Sequence, residues 1–285
     1  MIVGEKKIAS IWPRMFYNID YDHLEFIIIT SQAKGRERSD GRPFGEGKST
    51  LAIWMAYRCF AYANGTLYIK NNEIVDTNSY DDMIDLMEHV VRKFVKWRLD
   101  DIIETIKSER FIPALVWDDV QQDMPAYQHV PKDKRDKVEW LTRTRQRLAN
   151  LIMTAPAIGD VAKVLRRNIT WEIIVPERGV YEVQSILKRR DFYRPTEDRS
   201  RLWYDATGRF EKLPPEIDKL YKELRDKAVV ETKFGEEKKV QTIFDRIRLL
   251  HEQGYPASYI AMKLNLKKRF VVQKLREMGL EPIGE

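Results

Sequence analysis

The sequence predicts an α/β chain, with a mostly parallel sheet covered by helices and a small all-α module at its C-terminal end. Three observations predict this. The apolar run Phe26-Ile27-Ile28-Ile29-Thr30 is followed by a glycine-rich turn and then an apolar helix pattern. A second apolar run ends in the paired acids Asp118 and Asp119. The segment from residue 238 onward contains three helix-patterned stretches separated by short breaks. A chain of 285 residues can bury one full α/β core and a small second module. The expected division is a core over residues 1–212, a helical linker over 213–237 and a helical module over 238–285.

Phe26–Thr30 has the composition of a strand buried on both faces, as in a parallel sheet. Ser31 to Gly41 follows, with Lys34, Arg36 and Arg38 inside it and Arg42 just after. This insertion has three readings: a basic flap over a nucleotide, a DNA-contacting loop, or a solvated loop tip. Gly41-Arg42-Pro43-Phe44-Gly45-Glu46-Gly47-Lys48-Ser49-Thr50 then reads as a phosphate cradle. Gly45, Glu46 and Gly47 would turn backbone N–H groups inward, Lys48 would reach the β/γ-phosphates, Ser49 would ligate Mg²⁺, and Thr50 completes the binding turn. The first glycine of G-x-x-x-x-G-K-[ST] falls at Arg42, so the match is incomplete, with Gly41 and Gly45 alongside. Leu51, Ile53, Trp54, Ala56, Tyr57 and Phe60 continue as an apolar helix.

Ile112 to Asp119 reads as a strand ending in two carboxylates. Asp118 is suited to hold the Mg²⁺ shell, and Asp119 to orient or deprotonate the water that attacks the γ-phosphate. Asp119 is shorter than the glutamate usual at the second place. Leu148 to Pro156 reads as a third strand, with Thr154 either a polar sensor between the acids and the γ-phosphate or a plain strand-end cap. Arg143, Arg145 and Arg147 precede it and Arg166 and Arg167 follow, and either cluster can supply a cation to a neighbouring subunit's γ-phosphate.

Together these residues resemble P-loop ATPases of the AAA+/RecA-like division, in which extra strands separate the phosphate loop from the acid pair. The residues between Lys48 and Asp118 accommodate a strand at Thr66-Leu67-Tyr68-Ile69 and helices from Tyr80 to Lys107. More narrowly, Val116-Trp117-Asp118-Asp119-Val120, the Arg-Thr-Arg segment, Leu151 to Pro156 and Leu165-Arg166-Arg167 resemble the DnaA-like ATPases carried by crenarchaeal viruses and plasmids. The resemblance covers about residues 23 to 195 and implies ATP and Mg²⁺ as ligands, catalytic roles for Lys48, Asp119 and Thr154, and a homo-oligomer with an arginine finger in trans. It also implies a role in replication initiation or DNA remodelling of a mobile genome.

Composition is compatible with that reading. The net charge is +6, with 43% hydrophobic and 33% charged residues, which does not choose among readings. The single Cys59 excludes an intramolecular disulfide and fits a reducing compartment. No apolar run reaches the roughly twenty residues of a membrane span, so a soluble, cytoplasmic protein without a membrane partner is expected.

Thr170–Val175 and Gly179–Leu187 read as further strands that complete the sheet. Lys188 to Arg194 mixes cations and aromatics, which suits either nucleic-acid contact or a solvated strand end. Pro215 is placed to open a helix running to about Val230, and the charged segment Glu231 to Lys239 marks the expected junction. Beyond it, Val240 to Leu250, Ser258 to Leu264 and Lys267 to Met278 form a helix-turn-helix pattern with three helices. Val271, Val272 and Leu275 would face its core. Lys267, Lys268, Arg269, Gln273, Lys274 and Arg276 would face double-stranded DNA. A protein-interaction bundle with a solvated charged face has the same pattern. The whole chain is expected to be a DNA-binding ATPase, with a DNA-packaging or translocating motor and a slowly hydrolysing, ATP-gated transcriptional regulator as alternatives.

Overall fold

In the computed structural model of the chain, the described residues are 11–31, 47–71, 73–126, 130–190, 198–252, 254–264 and 266–281, with the backbone alone for 185–190, 198–206, 229–246 and 249. Two compact units emerge, residues 1–224 and 225–285.

The first unit opens with helix α1 (Ile11–Asp20), whose Ile11, Trp12, Met15 and Phe16 are buried. Strand β1 (Glu25–Thr30) is buried along its whole length. Helix α2 (Lys48–Ala63) follows, and every residue from Leu51 to Ala61 is buried. A helix apolar all round belongs inside a layered core, and α2 packs over β1 and two strands described below while α1 flanks it. Gly65, at φ +74°, ends the turn after α2 and leads to the hairpin β2 (Leu67–Lys70) and β3 (Glu73–Asp76). The strand expected at Thr66–Ile69 therefore exists, but it pairs only with β3 and stands outside the central sheet.

Helix α3 (Tyr80–Phe94) starts at a Ser79–Asp82 capping box and ends with Arg92 and Lys93 in its last turn, both arrangements that offset the helix-end charges. The short strand β4 (Val95–Lys96) and helix α4 (Leu99–Ser108) lead to β5 (Leu115–Trp117). After the single-turn helix α5 (Val120–Asp123) and α6 (Lys132–Leu141) comes β6 (Asn150–Thr154), also buried throughout. Helix α7 (Lys163–Arg166) then precedes β7 (Trp171–Glu177), β8 (Val180–Arg190) and β9 (Asp198–Arg209).

The sheet order is β4-β5-β6-β1-β7-β8-β9. The first five strands are parallel, and β8 and β9 add an antiparallel extension. The chain is thus a mixed α/β protein with a mostly parallel central sheet. The acid-bearing β5 is separated from β1 by β6, which pairs with both. Strands β1, β5 and β6 consequently end side by side, on the edge of a parallel sheet where open α/β folds gather ligand-binding groups.

The start of β6 is stitched to its surroundings by a polar side chain. Asn150 donates to Met15 O at 3.1 Å and Pro113 O at 2.9 Å, and its Oδ1 accepts from Asn18 Nδ2 at 3.0 Å. These bonds tie α1, β6 and the segment before β5 together in a buried layer, where each unmade bond would carry a desolvation cost.

Helix α8 spans Pro215–Glu252. It begins at the predicted proline, but its backbone runs helically through Glu231–Lys239, where the sequence suggested a junction. Leu213, Ile217 and Tyr221 seat its beginning on the core of the first unit, with Leu220 and Leu224 packed beside them. In the second unit, Ile247 and Leu250 of α8 share a small core with Ala257, Ile260 and Ala261 of α9 (Ala257–Lys263) and Val271 and Leu275 of α10 (Lys268–Glu277). Val271 and Leu275 are buried as expected, while Val272 is half-buried at the rim of the same core. Among the described residues, no helix is long and apolar enough to cross a membrane.

Candidate functional site

The site lies at the carboxyl ends of β1, β5 and β6. Gly47 has φ +121°, a backbone conformation that favours glycine, and a Cβ built there would lie 2.8 Å from Phe210 Cζ. A larger residue at this point would be strained in its backbone and would displace the Phe210 ring. Lys48 and Ser49 open α2 directly after it, and the first turn of α2 contains no acidic residue. Its first N–H groups remain suited to an anion. Lys48 Nζ lies 3.4 Å from Ser31 Oγ, and Ser31 in turn donates to Pro156 O at 3.2 Å. Ser31 immediately follows β1 and Pro156 follows β6, so the lysine is steered toward the line where those strands end. Gly45 and Glu46 lie outside the described residues, as do Lys34, Arg36, Arg38 and Arg42 of the basic insertion. Thr50 is half-buried in the first turn of α2.

Asp118 is completely buried and is the hub of the site. Its Oδ1 accepts from Ser49 Oγ at 2.7 Å and from Thr154 Oγ1 at 2.7 Å. Its Oδ2 accepts from Trp97 Nε1 at 3.2 Å and from Tyr221 OH at 2.5 Å. The predicted Mg²⁺-ligand pair, Ser49 and Asp118, is thus brought into direct contact from positions 69 residues apart. A hydroxyl and a carboxylate oxygen side by side match the small share of protein ligands that Mg²⁺ accepts when phosphates and water complete its shell.

Asp119 adopts a left-handed backbone, φ 51° and ψ 43°. Aspartate and asparagine tolerate this region better than longer side chains, because a short polar group can bond locally. The backbone N–H of Asp119 donates to Thr154 Oγ1 at 2.8 Å, and Gln122 Nε2 reaches Asp119 Oδ2 at 3.4 Å. Thr154 consequently joins both acids, donating a hydrogen bond to Asp118 and accepting one from the backbone N–H of Asp119. It is fully buried at the end of β6, between the acid strand and β1.

Beside the acids, burial holds Lys96 below its ordinary value against the opposing pull of Asp101 and Glu104, and burial likewise raises Asp101. Trp97, next in the chain, and Tyr221, more than a hundred residues later, are site residues that sequence reasoning missed. No local pattern marks either, because both reach Asp118 only through tertiary packing.

The arginine clusters separate into different environments. Arg147 Nη1 donates to Lys107 O at 3.2 Å at the end of α4, a helix-capping role. Arg143 pairs with Glu139 at 2.5 Å on the surface. Arg145 and Arg167 are exposed and Arg166 is half-buried.

In the second unit, Lys267, Lys268, Arg269, Gln273 and Arg276 are exposed and Lys274 is half-buried. Lys274 and Gln273 both bond Glu277, and these bonds hold the Glu277 carboxyl below its ordinary range. The basic segment Lys188–Arg194 has no described side chains. Among the described residues, no group of three or more His, Cys, Asp or Glu gathers as a metal cluster.

No family model matches the chain, and no curated protein does either. Among solved structures, it is similar to the N-terminal domain of zonular occludens toxin from Neisseria meningitidis, at 14% identity and a TM-score of 0.34, over 70% of this chain and 99% of that one. It is also similar to the genome packaging NTPase B204 from Sulfolobus turreted icosahedral virus 2 in complex with AMPPCP, at 8% identity and a TM-score of 0.32, over 65% of this chain and 98% of that one. The ATP-γS complex of the same NTPase matches at 9% identity, with the same TM-score and coverage.

Proposed function

We propose that the chain is a Mg·ATP-dependent P-loop ATPase that docks on double-stranded DNA through its C-terminal unit, in replication initiation or DNA remodelling of a mobile genetic element. The observation that carries the ATPase reading is the convergence of Lys48, Ser49, Asp118, Asp119 and Thr154 near the ends of three adjacent strands, with Gly47 at a positive φ that favours glycine.

In this reading Lys48 neutralises the β/γ-phosphates and the first turn of α2 receives phosphate oxygens. Ser49 and Asp118 hold Mg²⁺, which supplies charge neutralisation on the phosphate oxygens. Asp119 orients or deprotonates the attacking water, and Thr154 keeps the two acids in register. A neighbouring protomer supplies an arginine, for which Arg143, Arg145, Arg147, Arg166 and Arg167 are the candidates.

The DNA reading is supported by the exposed cations at the start of α10, by the compact core that presents them, and by the positive net charge. Docking exchanges the Glu277 partners of Gln273 and Lys274 for phosphate or base edges.

Two full-length variants test the two halves separately. Lys48→Ala is expected to lose tight Mg·ATP binding while keeping duplex affinity. Undiminished ATP affinity would remove the phosphate-loop assignment. Replacing Lys267, Lys268 and Arg269 together with glutamine is expected to weaken duplex binding and flatten its salt dependence, by about 0.9 for each phosphate no longer neutralised. An unchanged slope would make the second unit a protein-interaction module. ATP turnover that grows with DNA length, accompanied by processive movement, would assign a packaging or translocating motor instead. A single-operator footprint with negligible turnover would assign an ATP-gated regulator.

A further inference from the structure

Two donors on Asp118 have no part in the phosphate-loop pattern. Trp97 follows β4 and Tyr221 sits in the second turn of α8, and both bond the same oxygen, Oδ2. Their rings lie 6.3 Å apart and tilted by 32°, so each also braces the other. The opposite oxygen, Oδ1, faces the Ser49 hydroxyl and Thr154.

The two carboxylate oxygens are therefore divided by function. A carboxylate turns about its last torsion with little intrinsic preference, so its setting in the site depends on what bonds each oxygen. The hydrogen bonds on Oδ2 come from two neutral donors, the buried Tyr221 and the half-buried Trp97. They fix the rotation of the group and leave Oδ1 to Ser49 and Thr154.

We propose that Tyr221 is a positioning residue of the nucleotide site. With Trp97 it sets the rotation of Asp118 so that Oδ1 is directed to the side of Ser49. Because Tyr221 is carried by the start of α8, this setting depends on how Leu213, Ile217 and Tyr221 seat that helix on the core. The inference rests on the ATPase reading above and adds to it a residue far outside the phosphate-loop pattern.

Tyr221→Phe keeps the ring and its packing on Trp97 and removes only the hydroxyl. Loss of one hydrogen bond to a charged group corresponds to about a tenfold effect or more. The expected result is a fall of about tenfold in kcat, a several-fold rise in the Mg²⁺ concentration needed for half-maximal turnover, and a KM for ATP within about twofold of the parent. Trp97→Phe should act in the same direction. The double variant should lose less than the product of the two single losses, since both donors act on one oxygen.

If Tyr221→Phe lowered the melting temperature but left kcat and the Mg²⁺ dependence unchanged, the phenol would be an anchor for α8 and the proposal would be overturned. Should that variant fail to fold, Trp97→Phe decides: unchanged Mg²⁺ dependence there overturns it equally. Absence of Mg²⁺-dependent turnover in the unmodified protein would instead remove the ATPase reading, and the proposal with it, so the two failures are told apart by which protein shows them.

Discussion

Thr154 offers the sharpest test of the site, because one hydroxyl connects both acids. Thr154→Val keeps the shape of the side chain and removes the donor to Asp118 Oδ1 and the acceptor for the Asp119 N–H, bonds of 2.7 and 2.8 Å. A hydrogen bond to a charged acceptor contributes about 1.5–3 kcal/mol, and one between neutral groups about 0.5–1.5 kcal/mol. The lower end applies at Oδ1, since Ser49 still donates to that oxygen. The sum is about 2–3 kcal/mol. For a unit of this size, each kcal/mol moves the melting temperature by about 2–4 °C, so a fall of about 4–12 °C is expected. Turnover should fall by about ten- to a hundredfold, because the acid pair loses its common tether, whereas ATP affinity should change little. The measurements are thermal melts by near-ultraviolet circular dichroism, ATP binding at equilibrium, and steady-state hydrolysis. Thr154→Ser, which restores the hydroxyl, should recover most of both losses. A valine variant that melts within about 2 °C of the parent and hydrolyses ATP at the parental rate would refute the tether.

Two further outcomes follow from other parts of the first unit. Asp119→Asn is expected to keep the fold, since asparagine also tolerates φ 51°, and to bind ATP while losing turnover; parental turnover would exclude Asp119 as the base. Burial, opposed by Arg58, holds the Cys59 thiol above its ordinary value of 9.0, and burial together with Asp76 raises Tyr57 above 10.0. An acid whose folded value is raised contributes stability that is complete below the unfolded value and is lost as pH climbs toward the folded one. Stability should therefore decline above about pH 9, first through Cys59, and Cys59→Ala should flatten the decline between about pH 9 and 10. An unaltered slope in denaturant titrations would assign the alkaline loss to other groups.

Local patterns made part of this legible. The apolar run of β1, the Gly-Lys-Ser turn, the paired acids and Thr154 are each encoded within a few residues, with the acids just after β5 and Thr154 at the end of β6. The apolar spacing of α10 likewise identified Val271 and Leu275 as core positions. Helix α1 was not read, because Pro13 in its first turn resembles a break although proline is tolerated there. Strand β9 was missed as well, since Asp198, Arg199, Arg201 and Gly208 give it the composition of a loop. Its Gly208 has a structural reason, as a Cβ there would fall 2.3 Å from the Tyr181 ring. Strand β4 is only two residues long, too short for a period to emerge. The partners Trp97 and Tyr221 were hidden for a deeper reason: the chemistry of a buried carboxylate is completed by whatever packing brings to it, and sequence spacing does not encode that.

The saturation of Asp118 bears on the order in which ligands can arrive. Both of its oxygens are already hydrogen-bonded in the protein alone, and Ser49 is the partner that bridges it to the phosphate turn. On the proposed reading, a divalent cation has to exchange with that hydroxyl contact before the acid can join its shell. A bare ion brings nothing to offset the exchange, whereas one escorted by a triphosphate arrives with several oxygen ligands already attached. On that reading metal and nucleotide would enter together, as one unit, and Ser49 would give up its bond to Asp118 on their arrival.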